Sequence, residues 1–175
     1  MTQTAQMLFD EPDTAAGLPT PGAFVPVLTF HVDGVPRPGG SKKAFYSQKL
    51  GRSFIVDTGK HTKQWRDSVT AAAIDAYPAG EVLRDCVLYL AITFWMPRPQ
   101  GHFRTGKNAG QLKENAPVYH TSKPDSTKLT RSTEDALTGL LWGDDAQIAH
   151  QRIRKLYANP GQRIGAWIEV YRIEG

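Results

Sequence analysis

Val87-Leu-Tyr-Leu-Ala-Ile-Thr-Phe-Trp-Met96 is the longest apolar stretch of the chain. Taken with the residue before it, Cys86, Leu88, Leu90, Ile92 and Phe94 fall on one face of an extended chain, and Val87, Tyr89, Ala91 and Trp95 on the other. A strand that is apolar on both faces must be covered on both, which places it in the middle of a sheet. The strand is expected from Val82 to Met96, with Cys86 as a core residue. The apolar stretch is about half as long as a membrane-crossing helix, so no membrane span is expected.

Upstream, Trp65, Val69, Ala72, Ala73 and Ala76 recur at the spacing of one helical face between His61 and Tyr77, and Pro78 and Gly80 end the pattern. Phe54-Ile-Val reads as a strand, and Val27 to Val32 as the first strand of the domain. Between them Gly34-Val-Pro-Arg-Pro-Gly-Gly-Ser-Lys-Lys is a basic loop built on glycine and proline. The proline-rich and small polar residues 10 to 22 point to a flexible arm over residues 1–24, with the folded domain over 25–175.

Downstream, residues 97 to 124 carry Arg98, His102, Arg104, Lys107, Lys113 and Lys123 among few apolar residues, which predicts a mobile basic loop. Leu129, Thr133, Ala136, Leu137 and Leu140 then mark one face of a second helix, expected from Thr127 to Leu141 and ended by Gly143. Two strands close the chain, near Gln147 to Tyr157 and Ala166 to Ile173, joined by Asn159-Pro-Gly-Gln as an expected hairpin. Together these elements predict a single small α/β (α+β) domain with a mixed sheet and two main helices.

A chain of 175 residues matches one domain, and 40% apolar against 22% charged residues excludes the strongly polar composition of a disordered chain. A single cysteine excludes disulfides within the chain and cysteine-based metal sites. The first residues, Met1-Thr-Gln-Thr-Ala-Gln-Met-Leu-Phe-Asp, have no basic region followed by an apolar core, so a secretory signal is not expected and the cytoplasm is. A net charge of +4 and a pI near 9.2 favour a polyanionic partner.

The chemistry-bearing segment is Pro124-Asp125, a helix, and then Asp144-Asp145-Ala-Gln147. Carboxylates are the donors a hard cation such as Mg²⁺ takes, and such a cation activates water for phosphodiester hydrolysis. On spacing alone, Asp125 reads equally as a helix cap and Asp144-Asp145 as a polar turn. The intervening helix is about 22 Å long at 1.5 Å per residue, so its two ends meet only if the next strand folds back or a second subunit supplies one of them.

The segment resembles the signature of the RusA family of Holliday-junction resolvases: Pro-Asp-x-Asp-Asn-Leu-x-Lys, then Asp-Ala-Leu, then Asp-Asp-x-Gln. The matching residues are Pro124-Asp125, Leu129, Asp135-Ala136-Leu137 and Asp144-Asp145-Ala146-Gln147, and the opening Gly34-x-Pro-x-Pro-Gly-Gly-Ser-Lys-Lys loop is similar as well. The resemblance implies a homodimeric endonuclease that binds Holliday junctions or other branched DNA and nicks paired strands with Mg²⁺ or Mn²⁺. It makes Asp125 and Asp145 catalytic, adds Asp144 beside them as a metal ligand, and sets Arg131 where the family has its catalytic lysine.

Thr127 stands where the family has its second aspartate and Lys128 where it has asparagine, which opens the alternative of a catalytically weakened junction-binding protein. Glu134 and Asp135 are the nearby acids that could replace the missing carboxylate. Arg131 fits electrostatic stabilisation of the phosphate, or equally an i,i+4 pair with Asp135. Expected DNA contacts are Lys42, Lys43, Arg104, Lys107, Lys128, Arg152 and Arg154. The last two alternate with His150 along one strand face. Gln6-Met-Leu-Phe9 resembles, off by one in spacing, a bacterial sliding-clamp-binding peptide.

Overall fold

The computed structural model describes residues 22–39, 42–48, 51–57, 61–77 and 80–175. Its strands are β1 (Ala23–Asp33), β2 (Lys42–Ser47), β3 (Arg52–Asp57), β4 (Val87–Met96), β5 (Ile148–Tyr157) and β6 (Gly165–Glu174), with helices α1 (Thr62–Ala76) and α2 (Ser126–Leu137). Most of the arm expected over residues 1–24, the clamp-like peptide included, lies outside the described residues; β1 already begins at Ala23.

The main sheet has the order β1-β6-β4-β5, with β4 antiparallel to β6 and parallel to β5. It is a mixed sheet with β4 inside it, as the double-faced apolar pattern required. On one face Leu88, Leu90, Ile92 and Phe94 are fully buried against α1 and α2, in one core with Trp65, Val69, Leu129, Leu137 and Trp142. Each such side chain contributes about 1.5–3 kcal/mol through burial. On the other face Tyr89, Ala91 and Tyr171 form a smaller cluster under Phe24 and Ile173.

The expected hairpin between the last two strands does not form, because β4 lies between β5 and β6. The seven residues from 158 to 164 are long enough to step over one strand, and the most apolar strand takes the doubly covered place between them. β6 is then squeezed against β1 at Gly165, where a Cβ would come within 1.9 Å of the Val32 carbonyl oxygen.

The second helix is shorter than expected. It stops at Leu137 rather than at Leu141, because Thr138 leaves the helical region and Gly139 takes a positive φ of 80°. The polypeptide then turns so that Trp142 is buried. A strand not expected from the sequence, β2, pairs with β3 as a separate two-stranded sheet, so that Lys42 and Lys43 stand on a strand rather than a loop.

Residues 97–124, expected as a mobile loop, are tied down at several points. Arg98 donates to the carbonyls of Ala158 (3.0 Å) and Pro117 (2.8 Å), Phe103 bridges to Leu112, and Tyr119 pairs with Leu156 at the outer edge of β5. Two short 3₁₀ turns, Gln100–His102 and Gly106–Asn108, take up the rest of its slack.

Candidate nucleic-acid and metal site

Asp125 is the N-cap residue of α2 and is exposed, without a side-chain capping bond; instead it pairs with Lys128 one turn on, at 3.3 Å. The cap reading of this residue therefore fails for its carboxylate. Around it the opening loop and the end of the 97–124 segment form a cavity of about 500 Å³ whose lining includes Arg37, His120, Lys123, Asp125 and Lys128. The Gly39 amide donates to the Lys128 carbonyl at 3.0 Å, which fastens the opening loop to the first turn of α2. Two stretches that are distant in sequence thus meet around one acid and three cations.

His120 is buried in this cavity, and its Nδ1 has no hydrogen-bond partner among the described residues. Burial first and then the charge of Lys155 hold its imidazole below the ordinary value, against two backbone hydrogen bonds that raise it. Neither Arg37 nor His120 stood out in the sequence. The signal for Arg37 was its place inside the Pro-x-Pro loop; His120 had none.

Asp144 and Asp145 lie at the other end of α2. Asp144 caps the 3₁₀ turn Asp145–Gln147, accepting from the Ala146 amide at 2.8 Å, while Gln147 accepts from the Asp144 and Gly143 amides. Here the turn reading was apt. Asp145 accepts from Trp142 Nε1 at 3.0 Å and from the hydroxyl of Thr138, the C-cap of α2. Beside Asp144 a wide depression of about 970 Å³ is lined also by Arg84 and Arg172, two cations that sequence reading did not single out.

The acid nearest Asp145 in effect is Glu134. Burial pushes its carboxyl above the usual value, the charges of Asp145 and then Asp135 push it further, and a hydrogen bond from Gln151 lowers it. Asp135 itself is ion-paired with Arg66 of α1, not with Arg131 as the i,i+4 reading had it. Thr127 and Arg131 are exposed on α2.

Asp125 and Asp145 are therefore separated by the length of α2, about 18 Å for twelve residues. β5 does fold back along the helix: Gln151 bonds Glu134 near the helix end, and Lys155 Nζ reaches the Pro124 carbonyl at its start, 2.6 Å away. The aspartate pair nevertheless precedes that strand and stays at the far end. Among the described residues, no three His, Cys, Asp or Glu side chains converge closely enough to hold one ion. The donors suit a hard divalent cation in kind, being carboxylates, but one chain does not gather them.

The cations expected to follow DNA are dispersed. Arg152 pairs with Glu169 at 3.2 Å, and Arg154 stands beside Trp95 and Trp167; both lie on the sheet face opposite the helices and the aspartates. His150 packs on Tyr89 on that same face. Arg104 pairs with Glu114 at 2.8 Å, Lys107 is exposed, and the side chains of Lys42 and Lys43 lie outside the described residues. No helix among the described residues is long and apolar enough to cross a membrane.

A family model described as endodeoxyribonuclease RusA matches residues 36–169, a span that takes in the opening loop from Pro36 on, both ends of α2 and all of β4 and β5. No curated protein matches the chain.

Proposed function

Because this chain belongs to the RusA family of endodeoxyribonucleases, we propose that it resolves Holliday junctions or other branched DNA in recombination and repair, by paired nicking as a homodimer. The observation that carries the reading is the extent of the family match, which includes Asp125 and Asp145 together with Arg37, Lys123 and Lys128 around the first and Arg84 near the second. Residues 25–175 would form the nuclease domain. The arm ahead of them would be a tether carrying the clamp-like peptide, in the cytoplasm of a bacterial or phage-infected cell.

In this reading Mg²⁺, or Mn²⁺ in its place, depends on Asp125, Asp144 and Asp145. Such a cation would supply an activated water and offset charge on the phosphate. The chain's own groups do the rest. Lys128 and Arg37 hold a phosphate in the cleft beside Asp125, Arg84 and Arg172 hold one near Asp144, and exposed Arg131 lends a fixed positive charge between the two ends of α2. Lys42, Lys43, Arg104, Lys107, Arg152 and Arg154 would add backbone contacts that are sensitive to salt rather than to sequence.

The test is incubation of a synthetic four-way junction with the protein and Mg²⁺ or Mn²⁺. Paired nicks across the junction are expected; a junction that is bound but left intact would make the protein a binder only. That second reading is favoured by Thr127, whose hydroxyl replaces a family carboxylate on an exposed helix turn. A Thr127→Asp variant separates the two readings, since a weakened nuclease should gain cleavage.

A further inference from the structure

Of the four tryptophans, Trp65 and Trp142 are buried in the core between sheet and helices, while Trp95 and Trp167 stand on the opposite face of the sheet, Trp167 being 41% exposed. An indole left in water on a strand face marks a surface built for a partner. We propose that this face carries a second nucleic-acid site, apart from the aspartates, which takes an unpaired DNA strand by stacking a base on Trp167 and seating the adjoining phosphate on Arg154. The inference goes beyond the nicking reading and does not depend on it.

The strand register builds the site. His31, Trp167, Thr93 and Arg154 form one row across β1, β6, β4 and β5, with all four side chains on this face. Thr93 is small, so the row dips between the indole and the guanidinium group, whose backbones lie two strand spacings or about 10 Å apart. In the next row Trp95 has Leu156 on one side and Gly165, which offers no side chain, on the other. The resulting groove holds about 440 Å³ and is lined by the two indoles and Leu156 together with the guanidinium groups of Arg154 and Arg163.

The acids of the groove are already matched. Glu169 accepts from Arg152 at 3.2 Å and from the Tyr171 hydroxyl at 3.1 Å, and Asp33 accepts from Arg163 Nε at 2.8 Å. Among the described residues Arg154 makes no ion pair, which leaves its charge for an anion. A flat aromatic surface beside one uncommitted guanidinium suits a planar ring joined to a phosphate. In a duplex the base faces are stacked on each other, so the groove selects a strand whose bases are unpaired.

The extent of the open surface fits one or two bases. Beyond the groove the same face is closed, because Tyr89 and Tyr171 are buried and Phe24 lies over Tyr89 and His150 at ring separations of 5.0 and 6.0 Å. A stable subunit interface needs about 800 Å² from each partner, an area that a groove bounded by Arg154 and Arg163 does not offer as apolar surface.

The test is fluorescence anisotropy of a dye-labelled oligothymidylate strand titrated with the whole protein, with divalent metal chelated so that no cutting intervenes. Wild type should bind the strand. Trp167→Ala should weaken binding about tenfold, and Trp167→Phe, which keeps a ring, should restore most of it. Arg154→Ala should also weaken binding and lower its dependence on salt by about one unit of slope. Asp145→Asn should bind as wild type does, and an abasic strand with the same phosphates but no rings should bind about tenfold more weakly than oligothymidylate.

Equal binding of the oligothymidylate and abasic strands would overturn the site, as would a Trp167→Ala protein, folded by circular dichroism, that binds like wild type. Loss of binding in Asp145→Asn would place the strand at the aspartates and overturn it too, and so would a Trp167→Ala change that alters only the oligomeric state. A wild type that shows the expected pattern but never nicks a junction would keep this site and overturn the nuclease reading alone.

Discussion

At the scale of single residues, the aspartates differ in what holds them. Asp145 is fixed by Trp142 and Thr138, while among the described residues Asp125 has only the i,i+3 partner Lys128. An Asp145→Asn change keeps an oxygen for the Trp142 and Thr138 donors, so the fold should survive while nicking falls by about a hundredfold or more, as when a charged group acting on the transition state is lost. Circular dichroism and a junction assay on one sample check both halves. His120 carries a pH prediction. Its folded pKa lies below the unfolded value, so the unfolded chain binds the extra proton first, and stability is present above the unfolded value near 6.5 and is lost as pH falls toward the folded one. Thermal melts from about pH 7 down to pH 5 should fall more steeply for wild type than for His120→Asn.

At the scale of elements, much was legible and the errors have physical causes. The double-faced pattern around Ile92 and the one-faced pattern around Trp65 placed β4 and α1, because burial alone fixes those periods. Leu90→Ala should accordingly cost about 2–5 kcal/mol in a denaturant titration. The end of α2 was misread because Leu140 continued the apolar period past the true stop at Leu137, and the left-handed turn at Gly139 that follows leaves no mark in hydropathy. Partner choice among strands was likewise invisible, and the Asn159-Pro-Gly turn suggested a hairpin that β4 displaces. The close approach of β1 at Gly165 is a consequence of that order; Gly165→Ala should force the two strands apart and lower the melting temperature by more than the Leu90→Ala change.

At the scale of the whole molecule, the acids and cations were legible as residue types but not as places. The +4 chain distributes its charge over both faces: Arg37, Lys123 and Lys128 around Asp125, Arg84 and Arg172 near Asp144, and Arg152 and Arg154 behind the sheet. Family resemblance pointed to Asp125 and Asp145 and the sequence set a helix between them, but only the path of β5, which folds back after the aspartate pair, shows that the pair stays at the far end of α2. Junction affinity should weaken steeply as salt rises, and Lys128→Ala should lower that slope by about one unit if Lys128 meets a phosphate. In the proposed function this RusA-family chain cuts branched DNA through these two aspartates. The most direct measurement is nicking of a synthetic four-way junction by wild type, Asp125→Asn and Asp145→Asn side by side, with Mg²⁺ or Mn²⁺ present. Symmetric nicks by wild type and none by either variant are predicted; equal nicking by all three, or none by any, would contradict it.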